Sequence, residues 1–87
     1  MAYTILFQPG ARRELTSLER QDQRRVLAAI EALADNPRPP GCTKMAGFRD
    51  VWRIRVGANR VIYRIQDVQL IITSIRIAHR RDVYRNL

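Results

Sequence analysis

The sequence predicts an α+β domain: an N-terminal strand and a two-helix hairpin packed on a small, mostly antiparallel sheet that ends in a C-terminal β-meander. Short β-branched and aromatic runs occur at both ends of the chain, which is the pattern of strands. Between residues 11 and 35 the apolar residues recur at helical spacing instead. The resulting order is β-α-α-β-β-β, and helices grouped beside grouped strands make an α+β fold. With 87 residues this is a single domain, 1–87, whose core stands alone with little margin.

Tyr3-Thr4-Ile5-Leu6-Phe7 reads as the first strand, with Tyr3, Ile5 and Phe7 on one face. Pro9-Gly10 ends it, and Pro9 suits a helix start, where its missing N–H is not needed. Ala11, Leu15 and Leu18 mark a helix over 11–19. A second helix, over about 22–35, carries Val26, Leu27, Ile30, Leu33 and Ala34 as its apolar stripe. Asn36-Pro37 stops it, because a residue before proline avoids the helical region. These two helices have nearly balanced charge and are expected to be scaffold. Arg12, Arg13, Arg24 and Arg25 are expected to be a solvated helix face or a secondary contact to an anionic partner. Arg38-Pro39-Pro40-Gly41 is a linker, 42–45 a short strand, and 47–50 a turn.

The stretch Trp52-Arg-Ile-Arg-Val-Gly-Ala-Asn-Arg-Val-Ile-Tyr63 organises the rest. Pleating sends Trp52, Ile54 and Val56 to one face and Arg53 and Arg55 to the other. Taking Ala58 and Asn59 as the loop residues places Gly57 opposite Arg60. Val61, Tyr63 and Ile65 then join the apolar face, where Trp52 and Tyr63 are core. Arg60, Ile62 and Arg64 join Arg53 and Arg55. Like charges on neighbouring strands repel and weaken a sheet unless an anion is present. That face is a phosphate site. Residues 70–77 are apolar at nearly every position, as in a strand covered on both faces. In that strand Arg76 shares the parity of Ser74, Ala78 and Arg80. Residues 79–85 are polar and read as a helical turn.

Sixteen basic against eight acidic residues give a net charge of +8. Residues 1–43 hold six Arg and five acids, net +1, whereas residues 44–87 hold Lys44, nine Arg and three Asp, net +7. Arginine's planar fork matches phosphate and stacks on bases, so a polyanionic partner is expected. No apolar run nears the roughly 20 residues of a membrane span, and a signal peptide pattern is absent. The chain is therefore expected in the cytoplasm, where the single Cys42 is a small filler without a disulfide. Asp50, Asp67 and Asp82 are scattered and make no acid–base pair. One His, one Cys and no carboxylate cluster imply neither metal nor cofactor.

Lys44-Met45-Ala46-Gly47, Trp52-Arg53-Ile54-Arg55-Val56-Gly57, Arg60-Val61-Ile62-Tyr63 and His79-Arg80-Arg81-Asp82-Val83-Tyr84 resemble the RelE/ParE superfamily of bacterial toxins. The likeness spans essentially the whole chain, and the final Tyr leans towards the RelE branch, whose members cut messenger RNA in the ribosomal A site. The resemblance implies that Arg60 holds the scissile phosphate, that Arg80 stabilises charge on it or on its leaving oxygen, and that Tyr84 helps activate the 2′-hydroxyl. Arg53 and Arg55 stand where RelE members often carry lysine, and Ala46 where some carry arginine. Lys44, Arg53, Arg55, Arg64, Arg76 and Arg81 are expected to bind RNA phosphate. The resemblance also implies an acidic, RelB-like antitoxin wrapped over the arginines. The alternatives are a ParE-like inhibitor of DNA gyrase without nuclease chemistry, and an RNA-binding module without activity.

On chemical grounds, attack of a 2′-hydroxyl on the adjacent phosphate needs charge neutralisation and proton transfer, and yields a 2′,3′-cyclic phosphate and a 5′-hydroxyl. Arg53, Arg55, Arg60 and Arg80 are placed to neutralise. Tyr84, with a reference pKa of about 10, becomes a base only if neighbouring guanidinium groups lower that value. Packing or base stacking is the other role open to it. His79 is the second candidate base, although its strand parity is opposite to that of Arg80.

Overall fold

A computed structural model describes residues 2–79. Thr4–Phe7 form β1, Pro9–Ser17 α1, Arg20–Ala32 α2, Thr43–Lys44 β2, Val51–Val56 β3, Asn59–Gln66 β4 and Ile71–His79 β5. The five strands make one sheet in the order β1-β5-β4-β3-β2. Only β1 runs parallel to its neighbour, pairing Ile5 with Ile72 and Phe7 with Ser74; the other three pairings are antiparallel. The α+β class, the meander and the helix hairpin are therefore as the sequence implied. No helix among the described residues is long and apolar enough to cross a membrane.

Both helices lie on one face of the sheet. Their fully buried Ala11, Val26, Ile30 and Leu33 meet Ile54, Val61, Tyr63, Ile65, Ile72 and Ile77 from the strands. Pro9 opens α1, two residues earlier than the apolar stripe alone suggested. Leu27, expected in the stripe of α2, is instead 38% exposed. Two residues separate the helices, and the Gln23 side chain donates to Thr16 O at 2.8 Å and to Leu18 O at 2.9 Å. Those carbonyls belong to the end of α1, which has no intrahelical partner for them.

The linker after α2 is fastened down. Tyr63 Oη donates to Pro37 O at 2.8 Å, and burial pushes the Tyr63 hydroxyl above the usual tyrosine range, with Cys42 adding to the effect. Arg38 stacks on Trp52, 5.1 Å from the ring centre, and donates to Asp67 at 2.9 Å. Tyr3 Oη donates to the same carboxylate at 2.7 Å.

Two registers differ from expectation. In the hairpin, Val56 pairs with Asn59 and Arg55 with Arg60, so the loop residues are Gly57 and Ala58. Gly57 has φ 62°, the first central position of a type II′ turn, which favours glycine. The shift is by two residues, so each face keeps the expected side chains. In β5 the pairing slips between Ile62 and Tyr63 of the partner strand. Tyr63 faces Ser74 whereas Ile62 faces Arg76, leaving Ile75 as the extra residue of a bulge. Plain alternation had put Arg76 with Ser74. The bulge reverses this: Ser74 stays with Ile72 on the core face, and Arg76 goes to the opposite face with Ala78.

Candidate nucleic-acid interface

The sheet face turned away from the helices is built in three rungs across β3, β4 and β5. Arg55 lies opposite Arg60, which lies opposite Ala78. The next rung is Arg53, Ile62 and Arg76, and the third is Val51, Arg64 and Thr73. Strands about 4.8 Å apart and rungs about 6.8 Å apart confine these five arginine stems to an area of roughly 10 by 14 Å. That is close to one Debye length, about 10 Å at 0.1 M salt, so the charges act on one another and jointly on a ligand.

Burial grades the set. Arg60, on the central strand, is 5% exposed; on the two rungs beyond it Ile62 is 6% and Val51 4% exposed. Arg53 and Arg76 are half-buried, whereas Arg55 and Arg64 are exposed. The arginines thus rise around an apolar floor. Arg76 has a carboxylate neighbour: its Nε lies 3.5 Å from Glu14 Oε2, so it is partly neutralised.

The remaining candidates fall elsewhere. Lys44 pairs with Trp52 at the sheet edge and so takes the parity of the core face, away from the arginine rungs. Pairing across β2 and β3 gives Thr43, not Lys44, the parity of Arg53. His79 pairs with Asn59, on the helix-side face that Val61 and Ile77 share, opposite to Arg60. Arg80, Arg81 and Tyr84 lie outside the described residues. Among the described residues no three His, Cys, Asp or Glu side chains gather as a metal site would require.

Two concavities flank the arginine face. A recess of about 220 Å³ holds Met45, Phe48 and Val51 on one side, Ile62 and Ile75 beneath, and Arg64 and Arg76 at its rim. A smaller one, about 60 Å³, lies between Arg55, Arg60 and the Gly57-Ala58 turn. A larger cavity, about 650 Å³, is on the other side of the sheet between α2, the proline linker and Ile54. Arg55 lines both this cavity and the smaller concavity beside Arg60.

Sequence reasoning passed over Glu14, whose signal was present. It sits between Ala11 and Leu15 on the stripe that buries α1, a place where a carboxylate needs a partner. The Ile77 amide donates to its Oε1 at 2.9 Å. Phe48 was passed over too, because a turn position carries no periodicity.

A family model for the ParE toxin of type II toxin–antitoxin systems matches residues 5–84. Toxin RelG of Mycobacterium tuberculosis is 34% identical over 90 residues, covering 98% of this chain and 99% of that protein. A RelE-like toxin of Escherichia coli is 31% identical over 88 residues, covering 97% and 92%. Among solved structures, the RelE–RelB complex of Pyrococcus horikoshii superposes with a TM-score of 0.81 at 27% identity, covering 92% of this chain and 97% of that one. The RelBE2 toxin–antitoxin complex of Mycobacterium tuberculosis gives 0.79 at 26% identity, covering 91% and 99%.

Proposed function

We propose that this chain, which belongs to the RelE/ParE superfamily of type II toxin–antitoxin toxins and to its RelE branch, cuts messenger RNA in the ribosomal A site. One observation carries the reading: Arg55 directly opposite Arg60, with Arg53 and Arg76 on the next rung. A core does not need such a face, and like charges placed opposite each other weaken the sheet. A phosphodiester removes that penalty.

In this mechanism Arg60 holds the scissile phosphate. Its stem is fixed on the central strand with the smallest freedom of the set, which suits a donor that must be in place before charge develops. Arg53 and Arg55 hold neighbouring phosphates, Arg64 and Arg76 the strand further along, and Arg81 adds to the same set. Arg80 steadies the charge on the phosphate or leaving oxygen, and Tyr84 takes the 2′-hydroxyl proton. The 2′-oxygen forms its bond to phosphorus as the 5′-oxygen leaves, giving a 2′,3′-cyclic phosphate. His79, on the far face of β5, is not the base. An arginine at 53 or 55 neutralises as well as lysine but does not give up a proton, so proton transfer rests on Tyr84.

The partner that holds the toxin inactive is an acidic antitoxin, in keeping with the RelE–RelB complexes that the chain resembles. Its carboxylates replace phosphate on the arginine rungs.

The deciding experiment maps RNA ends by primer extension on ribosomes stalled on a defined message. Cuts in the A-site codon that vanish with Tyr84→Phe, and fall by about 10²–10³ with Arg60→Ala, support the proposal. The ParE description of the matching family model favours a second reading, inhibition of DNA gyrase. Intact messages together with blocked supercoiling overturn the nuclease and leave that reading.

A further inference from the structure

The recess beside the arginines has a character the phosphate chemistry does not explain. It is lined by the apolar Met45, Val51, Ile62 and Ile75 together with Arg64 and Arg76. Phe48 lines it too and is 57% exposed, which makes it the one exposed aromatic among the described residues. The others, Tyr3, Phe7, Trp52 and Tyr63, are half-buried or buried.

Phe48 is held out rather than hanging free. The Met45 amide donates to Val51 O at 2.9 Å, closing the base of the loop, and the Ile65 amide donates to Asp50 O at 2.8 Å. Gly47 and Asp50, on either side of the 48–49 pair, have φ 83° and 62°. Asp50 is one of two non-glycine residues in the left-handed region among the described residues, where Asp is tolerated better than most. The loop therefore presents its ring on a clamped backbone of the strained kind found at functional sites.

We infer that this recess is a base-binding subsite: an unpaired nucleobase of single-stranded RNA stacks on Phe48 over Ile62 and Ile75. The inference rests on the RNA reading of the arginine face and adds a contact that phosphate binding does not require. Charge complementarity selects the occupant. Arg64 stands at the rim and Arg53 beside Ile62 on the adjacent rung, so a base in the recess has cationic groups on both sides for its own backbone. Aromatic stacking accepts every base, because each has a π-face. The subsite thus anchors the strand and sets its register relative to Arg60.

The test needs no cleavage. The full chain is titrated, by fluorescence anisotropy, with a 2′-O-methyl oligouridylate and with an abasic oligomer of the same length and charge. Phe48→Ala is expected to weaken the oligouridylate about tenfold, within the range for loss of one base–aromatic stack, and to leave the abasic strand unchanged. Phe48→Trp keeps the preference for bases. Arg64→Ala weakens both strands alike and lowers the salt dependence by about one charge. Matched melting temperatures of the variants show that the fold is intact.

If the wild-type protein binds both strands equally, in a salt-dependent manner, the basic face stands and the subsite falls. If it binds neither, both fall. If Phe48→Ala loses only its grip on an amphipathic Leu/Glu peptide, the recess belongs to a protein partner and the inference is overturned. A protein that shows the base preference yet cuts no message keeps the subsite and loses the nuclease.

Discussion

Glu14 on α1 accepts the backbone N–H of Ile77 on β5 at 2.9 Å, where β1 has already ended. β1 pairs with β5 only as far as Ser74, so beyond that point no strand among the described residues lies beside the outer edge of β5. One carboxylate stands in for the missing strand and also approaches Arg76 at 3.5 Å. It thereby steadies the part of β5 that follows the bulge.

Replacing Glu14 separates its two contacts. Glu14→Ala is expected to cost roughly 1–2 kcal/mol, the lower part of the range for a charge-assisted bond because the side chain is 33% exposed. Glu14→Gln keeps an acceptor for Ile77 and should recover about half. Urea unfolding of both variants checks this; equal losses would mean that the charge on Arg76, not the amide, is what matters.

The Arg55–Arg60 pair makes an opposite forecast for stability and activity. Arg55→Thr should stabilise the free protein by about 0.2–1 kcal/mol at low salt, with the gain shrinking as salt screens the repulsion. The same variant should cut RNA more slowly. A melting series against salt, set beside the cleavage rate, measures both.

Tyr63→Phe removes the bond to Pro37 O and leaves a carbonyl without its donor. The expected loss is about 0.5–1.5 kcal/mol, read by denaturant unfolding. Cleavage should be unaffected, since Tyr63 lies on the core face.

Ser74 runs the other way. Its side chain is fully buried, and its hydroxyl oxygen has no hydrogen-bond partner among the described residues. Ser74→Ala is therefore expected to leave stability unchanged or raise it by up to about 1 kcal/mol, whereas a loss larger than that would expose a missed partner.

Asp67 predicts the acid side of the stability curve. Its hydrogen bonds to Arg38, first, and to Tyr3 hold its carboxyl below the ordinary value of 3.8. A carboxyl with a lower pKa folded than unfolded stabilises the fold at pH values above the unfolded pKa. That contribution is lost as pH falls from about 4 through the depressed folded value. Asp67→Asn should flatten this part of a melting-temperature curve taken against pH. The Tyr3 hydroxyl, raised by the same bond, contributes in the opposite limb: its share is present below pH 10 and fades as pH rises past the folded value.

Much was legible in the residues. The helix stripes marked Ala11, Val26 and Ile30 for the core. Strand alternation separated Trp52, Ile54 and Val56 from Arg53 and Arg55, and placed Arg60 and Arg64 with the latter. That partition survived a hairpin register different by two residues, because side-chain faces repeat every two. The site's charge was legible for the same reason, since pleating is local.

What local pattern did not contain was decided by packing between distant segments. The bulge at Ile75 moves Arg76 to the arginine face, and it is a property of the β4–β5 pairing, not of either strand alone. Lys44 lies on a two-residue strand, too short to show which way it faces until β3 is paired with it. Glu14 meets Ile77, and Phe48 comes to line one recess with Ile62, only once β5 and β4 are laid beside β1 and β3. Within an unbroken strand or helix, the period of the backbone alone settled which residues share a face. Which faces meet, and where a bulge resets that period, came from hydrogen bonds and burial between segments more than 60 residues apart.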